Sequence, residues 1–182
     1  MTPGVPAPIA DCLFRARAAG LAVRVEGPGD REFLAALYAS TRADEIAAVP
    51  WSAEEKAAFL AMQFEAQDQH YRTHFRGAER LIVTLDDAPA GRLYAERWPA
   101  EIRVIDIALV PNMRGRGYGT ALMRDVMDVA AAEESSVGIH VETANPAMRL
   151  YRRLGFEPRE DKGIYQLMRW EPARRAQAKS AS

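Results

Sequence analysis

Residues Arg114-Gly115-Arg116-Gly117-Tyr118-Gly119-Thr120 set two cations among three alternating glycines, a composition suited to holding an anion. Glycine lets the backbone turn tightly and approach a ligand closely. If a helix begins at this turn, its first N–H groups have no partner of their own and its dipole favours negative charge. Together with Arg114 and Arg116, those donors describe a phosphate or pyrophosphate site.

Other residues carry acid–base chemistry. Asp106, Glu96 and Glu142 fall in segments that read as strands near the centre of a sheet. Asp106 lies among apolar residues, a setting that makes a carboxylate a better proton acceptor; the alternative is a carboxylate paired with Arg103 or Arg92. Asp106 and Glu96 are the candidates for a general base. Gln63, Gln67, His70, Tyr71 and His74 form a polar stripe at helical spacing. His70 and His74 have metal-ligand spacing but no third ligand nearby, so no metal site is assigned. Cys12 is the only cysteine; it has no adjacent base and excludes an intrachain disulfide.

The elements that must position these residues follow from periodicity. Ile102 to Val110 is rich in β-branched residues and reads as a buried strand ending at Pro111, while Tyr118 to Glu134 carries apolar residues at helical spacing. The Arg/Gly turn therefore joins a strand to a helix. Before it, Leu21–Glu26 predicts a strand, Asp30 an N-cap for a helix to Ser40, and Ser52-Ala53-Glu54-Glu55 a capping box opening a long helix to His74. Arg80–Leu85 and Gly91–Trp98 predict a hairpin around Asp86-Asp87-Ala88-Pro89. After it come a strand at Val137–Val141, a short helix at Asn145–Leu154 and a last strand at Gly163–Trp170. Proline and alanine in residues 1–19 predict a loose lead-in, and residues 171–182 a disordered tail, leaving one domain over residues 20–170.

Composition sets outer bounds. The chain has 182 residues, 48% hydrophobic, with net charge −1, which suits one domain and argues against a nucleic-acid partner. No apolar run approaches a membrane span and no secretory signal is evident, so no membrane association and a cytoplasmic location are the expectations.

Motif and element order together resemble the GNAT superfamily of acyl-CoA-dependent N-acetyltransferases. Arg114 to Gly119 fits the family's Arg/Gln-x-x-Gly-x-Gly/Ala signature. Ile107-Ala108-Leu109-Val110-Pro111 is similar to the end of its fourth strand, and Asn145 to Phe156 to its second, C-terminal signature. The resemblance implies an α/β domain with a mixed, mostly antiparallel sheet of six to seven strands flanked by helices, in which a splayed parallel pair holds the cofactor. It implies that the amides of Arg114, Gly115, Arg116, Gly117, Tyr118, Gly119 and Thr120 hold the pyrophosphate of acetyl-CoA, the cosubstrate. By the same resemblance Ile107, Ala108 and Leu109 pair with pantetheine, Asn145 bonds that arm, and Tyr151 protonates the leaving thiolate. The first two helices would wall the acceptor site, which brings in the stripe and Trp51. Trp170 offers a surface for the homodimer that many members form.

The expected function is transfer of an acetyl group to a primary amine of a small molecule or protein, by direct attack without a covalent enzyme intermediate. The chemistry needs a neutral amine, a donor for the carbonyl oxygen such as the Leu109 amide, and a proton for the thiolate. The alternative is a non-catalytic acyl-CoA-binding or interaction module. A nucleotide-binding loop fits poorly: Thr120 and Ala121 follow Gly119 where a P-loop needs Lys-Ser/Thr.

Overall fold

In the computed structural model, residues 6–173 are described. In chain order they form α1 (Phe14–Ala18), β1 (Leu21–Val25), α2 (Arg31–Thr41), α3 (Ala43–Ala47), α4 (Ala53–His74), β2 (Glu79–Leu85), β3 (Ala88–Trp98) and β4 (Glu101–Leu109). Then follow α5 (Tyr118–Ala132), β5 (Ser136–Glu142), α6 (Met148–Arg153), β6 (Glu157–Lys162) and β7 (Tyr165–Trp170). The seven strands make one sheet in the order β1-β2-β3-β4-β5-β7-β6. Only the β4–β5 pair is parallel, running from Glu101↔Ser136 to Val104↔Ile139 and no further. A mostly antiparallel seven-stranded sheet with one splayed parallel pair is the architecture that the resemblance implied.

The two faces of the sheet carry different helices. On one, α1 and α5 cover the main core, where Leu122, Met123 and Val126 of α5 are fully buried against Val104, Val137 and Ile139. Each such side chain stabilises the fold by about 1.5–3 kcal/mol. On the other face α2 and α4 pack together, with Leu34, Tyr38 and Phe64 closing over Ile82.

Several expectations need correction. The lead-in is folded from residue 9. Ile9, Leu13 and Ala16 are buried at helical spacing; the Ile9 and Ala10 amides donate to Glu79, and those of Arg15 and Ala16 donate to buried Asp125. Carboxylates from other elements thus satisfy the starts of a 3-10 turn (Ile9–Cys12) and of α1, each too short to stand alone. Asp30 precedes α2 without capping it; its carboxylate takes the Gly27 amide and the Arg24 guanidinium instead. The short helix begins at Met148 rather than Asn145, and α3 and the charged edge strand β6 had no clear periodicity to announce them. Most of the expected tail, residues 174–182, lies outside the described residues.

Candidate active site

The Arg/Gly turn lies between a short 3-10 turn (Pro111–Met113) and α5. Gly115 and Gly117 take φ of 73° and 88°, the left-handed region that costs an L-residue about 1–2 kcal/mol. The six amides from Gly115 to Thr120 donate to no backbone carbonyl among the described residues; the first bond of α5 runs from Ala121 to Gly117. Arg114 departs from expectation, since its own amide is spent on the Pro111 carbonyl. Its side chain folds back, donating to the Leu109 carbonyl at 2.8 Å and to Ser40 Oγ at 2.8 Å. Arg114 therefore braces the loop against α2, while the exposed Arg116 is the side-chain cation beside the six amides.

The strand leading into the loop has lost its neighbour. Val104↔Ile139 is the last β4–β5 pair, and a bulge opposite Tyr94/Ala95 bends β4 just beyond it. The bond from the Val110 amide to the Ala90 carbonyl sets the phase of the antiparallel β3–β4 ladder. By its alternation Ala108 turns its backbone groups toward β3, whereas Ile107 and Leu109 turn theirs toward the gap left by β5. Of the predicted trio, Ile107 and the Leu109 amide thus offer backbone partners, the Leu109 carbonyl being taken by Arg114, and Ala108 does not. Gly91 makes this geometry possible, because a Cβ there would sit 2.4 Å from the Ala108 carbonyl oxygen.

Tyr151 projects from α6 and is 3% exposed, its ring tilted against Phe156 at 5.8 Å. Burial, and then the charge of Asp106, push its hydroxyl well above the ordinary tyrosine value of 10.0. The charge of Asp106 thus reaches Tyr151, although the two are far apart in sequence. Asn145 accepts the Ala147 amide at 2.8 Å, an Asx turn ahead of α6 rather than the expected N-cap, and its side-chain NH₂ is exposed.

Asp106 is no carboxylate in an apolar cage. Arg92 donates to its Oδ2 at 2.6 Å and the Tyr71 hydroxyl to the same oxygen at 3.0 Å, while Gln67 accepts from Arg92 at 2.7 Å. Both recorded bonds fall on Oδ2, and Oδ1 has none among the described residues. The helix stripe is thereby explained in part: Gln67 and Tyr71 are the layer that fixes Asp106. Their pairing with β3 and β4 across the interior left no local signal. His70 and His74 stack on one another at 4.2 Å, and no group of three metal-ligating side chains occurs among the described residues.

Glu96 stands apart, level with Arg103 on the paired part of β4; its carboxylate takes the Gly77 amide and the Trp98 indole N–H, each at 2.8 Å. Glu142 lies past the splay on β5, and Arg42 at the end of α2 grips it with two bonds of 2.9 and 2.6 Å. Trp170 packs over Gly155, the nearest ring atom 3.6 Å from where a Cβ would stand. A cavity of about 640 Å³ lies beside Glu26, Arg80 and Glu96 and includes no residue of the glycine loop.

The sequence pattern of the acetyltransferase (GNAT) family matches residues 36–156. The chain belongs to that family. A stretch of 62 residues is 37% identical to the streptothricin acetyltransferase of Streptomyces lavendulae, a match spanning 32% of each chain. Among solved structures, the PaiA N-acetyltransferase of Thermoplasma acidophilum in complex with coenzyme A is similar with a TM-score of 0.63 at 13% identity, over 83% of this chain and 98% of that one. The spermidine N-acetyltransferase of Vibrio cholerae, in complex with CoA and spermine, gives 0.55 at 18% identity, over 83% and 94%. At such identities the structural likeness speaks for the fold. No helix among the described residues is long and apolar enough to cross a membrane.

Proposed function

We propose that this GNAT family member transfers an acetyl group from acetyl-CoA to a primary amine by direct attack. The observation that carries the reading is the run of six amides, Gly115 to Thr120, without a hydrogen-bond partner among the described residues, at the exit of a strand that has parted from its parallel neighbour. Such a run fits a pyrophosphate, with Arg116 adding charge and Asn145 available to the pantetheine arm. Acetyl-CoA would supply the activated thioester; this chain's residues bind it, orient the amine and move two protons.

Asp106 is the base we favour over Glu96 and Glu142. Its Oδ1 accepts the ammonium proton while Tyr71 and Arg92 hold Oδ2 in place. The freed lone pair attacks the thioester carbonyl, and the Leu109 N–H, turned into the gap, donates to the oxygen as negative charge develops there. Expulsion of the sulfur then breaks the C–S bond, and the Tyr151 hydroxyl, kept protonated by burial, gives the thiolate its proton. The second proton, shed by the nitrogen as it becomes an amide, restores the tyrosine, so that the net proton released is the one on Asp106.

Calorimetric titration with coenzyme A and acetyl-CoA, with NAD and ATP as controls, tests the cofactor. Selective binding of the CoA species, followed by thiol release with an amine, is the expected result. Binding without turnover of any amine would favour a non-catalytic acyl-CoA-binding module; a folded protein that ignores CoA would refute the assignment.

A further inference from the structure

Beyond the splay, β4 and β5 each carry one carboxylate on the face covered by α2 and α4. Asp106 meets α4 through Tyr71, and Glu142 meets the end of α2 through Arg42. The surroundings of Arg42 are those of a bound cation. Its guanidinium is bidentate on Glu142, lies 3.1 and 3.2 Å from the two oxygens of Glu45, and stands 6.0 Å from the Tyr38 ring centroid. Tyr165 completes the group by donating its hydroxyl to Glu142 at 3.2 Å. Two carboxylates and an aromatic face are how a protein recognises an alkylammonium or guanidinium ligand. Next to this cage is a cavity of about 360 Å³, lined by Tyr38, Arg42, Glu45, Ile46, Phe59 and Gln63, a volume within the range of small-molecule sites.

We propose that Arg42 is a specificity-determining residue that fills, from within the chain, a cation subsite beside the amine-accepting groove, so that acceptors bearing a second, distal cation are excluded. That the groove takes an amine rests on the function proposed above; the existence of the cage does not. Two features favour an occupied subsite over an ordinary surface ion pair. Arg42 and Glu142 are only 27% and 21% exposed, and the guanidinium is bidentate on Glu142, with Glu45, 65% exposed, adding a local contact from three residues on. Removing the Arg42 side chain leaves Glu142, Glu45 and Tyr38 in place beside the adjoining cavity.

The test uses methylguanidinium and 1,6-diaminohexane, with hexylamine as the monocation control, titrated into the full chain without coenzyme A. The arginine is truncated by Arg42→Ala, with Arg42→Gln as a second variant should the first fail to fold. Truncation is expected to tighten methylguanidinium and diamine binding about tenfold, the worth of a charge-assisted pair, and to leave hexylamine unchanged. Adding Glu142→Gln should abolish the gain. No gain on truncation, or a gain that survives Glu142→Gln, overturns the proposal, as does a wild-type protein that already prefers the diamine to hexylamine. Because the probes need no cofactor, failure here is separable from failure to bind CoA.

Discussion

The Tyr71 hydroxyl on α4 donates at 3.0 Å to Oδ2 of Asp106 on β4, the same oxygen that receives Arg92 at 2.6 Å. A helix and a strand thus converge on one carboxylate of a second strand, and its other oxygen has no bond among the described residues. In Tyr71→Phe, kcat/KM should fall about tenfold, the worth of one hydrogen bond to a charged group. CoA affinity should hold. An unchanged kcat/KM would confine Tyr71 to a packing role.

Tyr151 should behave as an acid that stays charged with its proton. Burial and the nearby Asp106 raise its pKa above 10.0, so the protonated, active form persists as pH rises through the usual tyrosine range. Turnover should therefore show no loss near pH 10 attributable to this group. Tyr151→Phe should lower kcat by about 10²-fold, the scale of general acid catalysis, with CoA affinity kept in calorimetry.

Gly117→Ala tests the loop's backbone. A Cβ there meets nothing within 4 Å, so the cost comes from the φ of 88° alone. We expect a loss of about 1–2 kcal/mol in urea unfolding and weaker CoA binding, with the sheet intact by circular dichroism. Gly91→Ala acts differently: its Cβ would collide with the Ala108 carbonyl and Leu109, shifting the strand end that faces the gap. It should damage KM for acetyl-CoA as well as stability.

Stability should fall on the acid side. The hydrogen bonds from Arg42 hold Glu142 below its reference pKa of 4.5. Burial pushes Asp68 upward, but its bonds from Arg72 and Arg80 prevail and leave it below 3.8. Folded-state values below the unfolded ones mean that both groups stabilise the protein above about pH 4.5 and lose that contribution as pH falls through their folded values. Urea midpoints measured from pH 7 down to 3 should decline in the wild type, and less steeply in Glu142→Gln.

The sequence by itself determined the loop, the helix behind it and most of the strands. These depend on local causes: glycine where φ is positive, apolar residues at period 3.6 or 2, and a capping box that forms as spelled, with Ser52 and Glu55 bonding reciprocally. It also located Tyr151 and Asp106 as residues of interest. Their convergence, and the company each keeps, belonged to the tertiary structure. Asp106 chose Arg92 over the nearer Arg103 because Arg103 is held by Glu101 and His140. Arg42 found Glu142 across 100 residues. The lead-in folded because Glu79 and Asp125 were waiting for its amides. Such pairings carry no period and no spacing. They are fixed by which side chains the packed sheet and helices bring within hydrogen-bond distance, where an unpaired buried charge costs more than any local preference can supply.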